Sequence, residues 1–315
     1  MNIFLDTNTL EDEPHQHAKI RFFLERLKED INSKNRWTII LNNKNIADLI
    51  TDSPKIEFKL LNPGKNRISR LWYKYVKLPR VIRKERPQLF FYTSGKLSAI
   101  FPIAGTLVEE FRMPVSGWDF QPLDWEEKNA VKKKFTDGRE FFLSEINWKD
   151  TEKIKFLLKA FSRFKKRQHS NMKLVLLCYG KRSEKASSLI DTYKFRKELH
   201  LFDQPATTLS GMLLPAAYAL IVLDKQPGNI FPADAMHTMI PVICVDDLGH
   251  KMAAEKSVLY FEKNNEDQLT ACMMTIFKDE NLRSFLIKSG SETVKKLEGS
   301  GLVEFLTKNL RMQKP

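Results

Sequence analysis

The arrangement in this chain best suited to chemistry is an aspartate at a helix start, set between two buried strands. The apolar run Ala219-Leu220-Ile221-Val222-Leu223 enters a loop, which reaches Phe231-Pro232-Ala233-Asp234-Ala235-Met236. Ile240-Pro241-Val242-Ile243-Cys244-Val245 follows as a second apolar run. Strand, helix start and strand make one step of a parallel sheet, and ligands of such sheets gather at the carboxyl ends of the strands. Asp234 has two compatible roles there: capping the helix, or capping it while also accepting hydrogen bonds from a ligand. The basic pair Lys181-Arg182 comes one glycine after another apolar strand, Lys173 to Tyr179, and is a source of positive charge for an anionic group. His237 and His250 read as structural or solvent-facing, and His15 and His17 are weak candidates beside the first helix. No phosphate-binding P-loop, HExxH helix or GxSxG elbow occurs, which removes most common enzyme classes.

Charge points the same way as the basic pair. The 315 residues carry a formal net charge of +13, which predicts attraction to something acidic. Nine cations between Lys65 and Arg86, among them Arg70, Lys74, Lys77 and Arg80, face Glu85 alone. Leu71, Trp72, Tyr75 and Val76 lie among them, so the stretch reads as a basic amphipathic helix suited to an anionic membrane surface or a lipid-linked acceptor. The bland alternative buries Trp72 and Tyr75 and leaves the cations as decoration. Nucleic acid is not expected, because no recognition motif accompanies the charge. Cys178, Cys244 and Cys272 lack paired spacing and read as buried reduced thiols, with no zinc site or disulfide framework. Without a run of ~18 uncharged apolar residues or a leader-like N-terminus, the expectation is a cytoplasmic protein, with peripheral docking at the inner membrane face left open.

The elements that must position these groups alternate. Asn2 to Asp6, Trp37 to Leu41, Ile56 to Leu60 and Pro87 to Tyr92 read as strands. Helices carry Ile20, Phe23, Leu24, Leu27 and Ile31, then Ile68, Leu71, Trp72, Tyr75 and Val76, each on one stripe. Periodicity fades from Pro102 to Gln121 amid prolines and glycines, which places a domain boundary there. A second alternating unit starts at Glu140-Phe141-Phe142-Leu143, continues with a helix striped by Ile154, Leu157, Leu158, Phe161 and Phe164, and ends in helices to Leu310. The expectation is α/β, with domains over 1–115 and 116–300 and a closing helix over 301–315.

Trp125-Glu126-Glu127-Lys128 through Asp137-Gly138, Leu157-Leu158-Lys159-Ala160-Phe161, Asp234-Ala235-Met236 before Ile240-Pro241-Val242-Ile243, and Asp279-Glu280-Asn281-Leu282-Arg283 resemble the donor-binding domain of family 4 retaining nucleotide-sugar glycosyltransferases. The likeness covers roughly residues 80 to 295 and is better for the second domain. It implies two Rossmann-like domains facing each other across a cleft (the GT-B type), the first shortened. The implied reaction is transfer of a sugar from a nucleotide diphosphate to a hydroxyl acceptor, in polysaccharide or glycolipid synthesis. The resemblance implies no metal and no cofactor beyond the nucleotide-sugar substrate.

The family's paired glutamates stand eight positions apart. Here those positions hold Gln226 and Asp234, which the resemblance assigns to ribose and donor hydroxyls. Its glycine turn is missing from Phe142 to Asn147, and its basic pair is replaced by Thr151 and Glu152. Lys149, Lys153 or Lys181-Arg182 would have to hold the phosphates instead, and the first strand runs into an acidic segment without glycine. These departures imply a second reading: a catalytically inactive homologue that scaffolds an assembly or binds a partner glycosyltransferase.

Overall fold

A computed structural model describes residues 2–7, 24, 27, 36–41, 56–64, 66–92, 105–110, 120–224, 230–246 and 256–297. The described residues fall into two units, one running up to Glu110 and the other from Phe120 to Leu297. Gln226, His15, His17, His250 and the helix expected over 301–315 lie outside them.

The first unit is a parallel sheet of β1 (Asn2–Asp6), β2 (Arg36–Leu41), β3 (Ile56–Leu60), β4 (Leu89–Tyr92) and β5 (Leu107–Glu110), in the order β3-β2-β1-β4-β5. Buried on both faces, β1, β2 and β4 have the nearly unbroken apolar sequences that a covered parallel sheet requires. β5 falls within the segment whose periodicity fades. It pairs in parallel with β4 from Leu89↔Leu107 to Tyr92↔Glu110, so that segment carries a strand too short for period-two alternation to show.

The basic helix after β3 has three parts. α1 (Arg67–Trp72) starts at Asn66, whose side chain accepts the Ser69 N–H at 2.7 Å. A π-helical turn, Tyr73–Lys77, is closed by the Leu78 N–H on the Tyr73 carbonyl, and α2 (Leu78–Glu85) completes it. The extra residue in the π turn brings Tyr73 and Leu78, five apart, onto one side with Ile82. These three pack with Phe4, Ile40 and Phe90 of the sheet. The side they vacate holds Ile68, Leu71, Trp72 and Tyr75, which are 79%, 47%, 51% and 50% exposed. The burial of Trp72 and Tyr75 allowed by the bland reading does not occur, and Arg70 and Arg80 are exposed nearby while Lys74 and Lys77 are half-buried.

The second unit is a six-stranded parallel sheet of β6 (Phe141–Asn147), β7 (Lys173–Tyr179), β8 (Leu199–Asp203), β9 (Ala219–Val222), β10 (Val242–Val245) and β11 (Val258–Phe261). Its order is β11-β10-β9-β6-β7-β8. Its helices are α3 (Trp125–Thr136), α4 (Thr151–Gln168), α5 (Glu184–Asp191), α6 (Thr207–Ala216), α7 (Pro232–His237), α8 (Glu266–Lys278) and α9 (Glu280–Leu297). α3 opens with a reciprocal capping box, Asp124 accepting the Glu127 N–H at 2.8 Å and Glu127 the Asp124 N–H at 2.9 Å. The stripe expected on α4 is buried throughout, from Ile154 to Phe164. Among the described residues no helix is long and apolar enough to cross a membrane.

Candidate functional site

In the second unit the chain leaves β6 for β7 and β8 on one side, then crosses back to β9 on the other side of β6 and continues to β10 and β11. The reversal makes the carboxyl ends of β6 and β9 the switch point of the sheet, the place where α/β folds hold ligands. Both strands are locked at that end, with the Ser144 hydroxyl donating to the Ile221 carbonyl at 2.9 Å.

Acidic groups crowd this crevice. Glu145, near the end of β6, accepts the Ile230 N–H at 2.9 Å and so ties the residue ahead of the α7 N-cap to β6. Asp224, just beyond β9, pairs with Lys153 in the first turn of α4, and Asp150 approaches the same ammonium at 3.2 Å. Burial draws the Lys153 pKa down, but the hydrogen bonds of Asp224 and Asp150 outweigh it and hold it above the ordinary lysine value. Asp150 is the N-cap residue of α4, yet its side chain makes no capping bond.

Asp234 closes the group. It stands at the third position of α7, is 4% exposed, and accepts the Phe231 N–H at 2.7 Å. The N-cap position expected for it belongs instead to Phe231; Asp234 caps from the third helical position, its carboxylate turned back onto the helix start. No group of three or more His, Cys, Asp or Glu side chains among the described residues is arranged to hold a metal.

Lys181 and Arg182 lie at the same carboxyl edge but beyond β7, on the far side of β6 from β9. Lys181 is exposed. The Arg182 guanidinium lies 4.7 Å from the centroid of the Trp148 ring, and its Nε is buried without a hydrogen-bond partner. Trp148 is fully buried and its indole N–H donates to Asp203 at 2.5 Å, so the platform under Arg182 is rigid. Gly180, at φ +77°, lets the β7 turn pass so close to Asn147 that a Cβ there would come within 2.9 Å of the Asn147 amide oxygen. Burial, reinforced by the negative charge of Asp203, pushes the neighbouring Cys178 thiol up to about 12.

The residues singled out in the sequence thus divide into two groups. Asp234 and Lys153 lie around the β6–β9 switch point, and Lys181 with Arg182 around the β7 turn. Sequence reasoning passed over Glu145, Trp148, Asp203 and Asp224. The available signal was position: Trp148 and Asp224 follow the apolar runs of β6 and β9 by one or two residues, and Asp203 ends β8.

Comparison with known proteins agrees with this geometry. The sequence model for glycosyl transferases group 1 matches residues 126–293, more than half of the chain and all of the switch-point elements. No curated protein sequence matches it. Among solved structures, a glycosyltransferase from Rickettsia africae is similar at 13% identity and TM-score 0.60, covering 99% of this chain and 97% of its own. The sucrose-phosphate synthase of Thermosynechococcus elongatus is similar at 14% identity and TM-score 0.61, covering 99% and 98%. HepE of Anabaena, solved with UDP and glucose, is similar at 8% identity and TM-score 0.58 over the whole of both chains. Likeness at such identities speaks for the fold, two Rossmann-like α/β domains of the GT-B type. The chain belongs to the group 1 glycosyl transferases.

Proposed function

We propose that the protein takes a nucleotide-diphosphate sugar at the carboxyl edge of the β6–β9 pair and passes the sugar to a hydroxyl acceptor of a polysaccharide or glycolipid. The observation that carries this reading is Lys153, a cation held at the switch point of the sheet, the edge where α/β folds take their ligands. Asp234 would shape the loop as a helix cap, and Arg182 on Trp148 would supply a second, fixed positive charge. Gln226 remains the proposed ribose contact. The relatives lend support: HepE was solved with UDP and glucose, and MnaA of S. aureus with UDP. This reading invokes no cofactor besides the sugar nucleotide.

The acceptor side of the proposal rests on the first unit. A helix with Trp72, Tyr75, Leu71 and Ile68 exposed beside Arg70, Lys74, Lys77 and Arg80 suits an anionic membrane surface, where a lipid-linked acceptor would be met. WaaG, similar at 11% identity and TM-score 0.54, is described as acting in lipopolysaccharide biosynthesis.

One observation favours a second reading. At the switch point Glu145, Asp150, Asp224 and Asp234 oppose Lys149 and Lys153 among the described residues, and such a balance repels a diphosphate. A catalytically silent relative that binds a partner glycosyltransferase would tolerate it. Calorimetry with UDP-, GDP- and CMP-sugars, followed by a transfer assay, separates the two. Binding of at least one donor is expected. If none binds at about 10 mM, an affinity of under roughly 3 kcal/mol, the transferase reading fails. Recovery of an active partner enzyme by pull-down would then establish the second.

A further inference from the structure

The cation on which donor binding depends is already occupied by the protein itself. Lys153 reaches across from α4 to Asp224 beyond β9, so the pair spans the crevice where a ligand would enter. Asp150 adds its carboxylate from the other side at 3.2 Å, which explains why it leaves the start of α4 without a side-chain cap. We propose that Asp224 is a built-in counter-anion for Lys153, a latch that an entering diphosphate has to displace. The proposal rests on the donor reading above and adds the regulation of that site.

Three observations argue for displacement rather than a permanent bond. The pair is partly open to water, with side chains 36% and 51% exposed, so its bond is weak enough to exchange. A diphosphate brings more negative charge than one carboxylate, and it competes on the same ammonium. Ile230, ahead of α7, is tied to β6 separately, its N–H donating to Glu145 at 2.9 Å, a bond that does not involve Asp224. Glu145, Asp234 and Lys149 also stand at this end of the sheet, Asp234 with its carboxylate turned into the start of α7. The two acids set a background repulsion that the latch does not alter, and Lys149 is exposed.

The latch selects for ligands. A neutral sugar or a single weak carboxylate cannot outbid Asp224, whereas pyrophosphate-bearing compounds can.

Inorganic pyrophosphate is the probe, titrated by calorimetry at constant ionic strength into the full chain and three variants. Asp224→Asn is expected to bind about two- to fivefold more tightly than the natural chain, the range that an exposed ion pair spans. Lys153→Met should weaken binding at least about tenfold. The double variant should gain clearly less from Asp224→Asn than the natural chain does, because without Lys153 only the direct repulsion by the Asp224 carboxylate is removed. An unchanged or weaker Kd in Asp224→Asn, an equal gain with and without Lys153, or no pyrophosphate binding in any chain would each overturn the latch. If pyrophosphate behaves as expected while no nucleotide sugar binds, the latch stands and the proposed transferase activity falls. If nucleotide sugars bind but Asp224→Asn changes nothing, the reverse holds.

Discussion

Reversing two charges on the basic helix tests the membrane reading most sharply. Lys74→Glu with Lys77→Glu removes two cations and adds two anions on the turn that carries Tyr75. At about 1 kcal/mol per cation near an anionic bilayer, the loss is roughly 2–4 kcal/mol, a fall in partition of roughly 30- to 800-fold. The apolar share is separable. Trp72 is 51% exposed. Half of an indole's ~200 Å² is ~100 Å², and at ~25 cal/mol per Å² its transfer into lipid is worth at most ~2.5 kcal/mol. Trp72→Ala should therefore cost up to about 70-fold, and should do so in high salt as well as low. The assay is co-sedimentation with vesicles of neutral lipid and of neutral lipid doped with an anionic one, at low and high salt. The natural chain should bind doped vesicles and lose most of that binding when screening shrinks the Debye length from about 10 Å to about 3 Å. Equal binding to neutral vesicles, or charge reversal changing binding less than about twofold at low salt, would refute the reasoning. Circular dichroism should be unchanged in both variants, because neither touches Tyr73, Leu78 or Ile82, the residues that pack on the sheet.

Other changes report on the second unit. Asp234→Ala removes the bond to the Phe231 N–H and should lower stability by about 1–2 kcal/mol in urea denaturation, while Asp234→Asn keeps an acceptor and should recover most of it. Trp148→Ala empties a fully buried site and should cost about 3–5 kcal/mol in the same assay. Trp148→Phe, which mainly gives up the bond to Asp203, should cost about 1–2 kcal/mol. Cys178, with its thiol pushed from 9.0 to about 12, should resist alkylation in the native state at pH 8 and react once unfolded. Because its folded-state pKa is raised, the thiol's contribution to stability is complete below pH 9 and is lost as pH climbs from 9 towards 12. Alkaline melting curves should show that decline, and Cys178→Ser should flatten it.

Much of the second unit was legible because its signals are redundant. β7, β9 and β10 are largely apolar runs with no competing period, β6 opens on one, and every member of the α4 stripe from Ile154 to Phe164 is buried. The first unit was harder. A stripe drawn at helical spacing through Ile68, Leu71, Trp72 and Tyr75 marks the exposed side of the basic helix, because one π turn shifts the packed side onto Tyr73, Leu78 and Ile82. Periodicity assumes a constant pitch and cannot foresee that step. β5, four residues long, is fixed by pairing with β4 rather than by its own pattern. At the site, the cap role of Asp234 followed from its place in the first turn of a helix, though the N-cap position itself is Phe231. The partners of Lys153 did not, because Asp224 lies 71 positions away in the chain and meets it only through the crossover from β8 to β9.

Behind the site, α9 presses Gly290 against Met236 of α7. A Cβ at that glycine would stand 3.0 Å from the Met236 Cγ and 3.2 Å from its Cβ. The short helix that carries Asp234 is thus wedged from the rear by a segment with nothing reactive in it. Enlarging residue 290 to alanine would push on that wedge, leaving every group in the crevice chemically intact but changing where the Asp234 carboxylate points. Affinity for a ligand could then be tuned from outside the crevice.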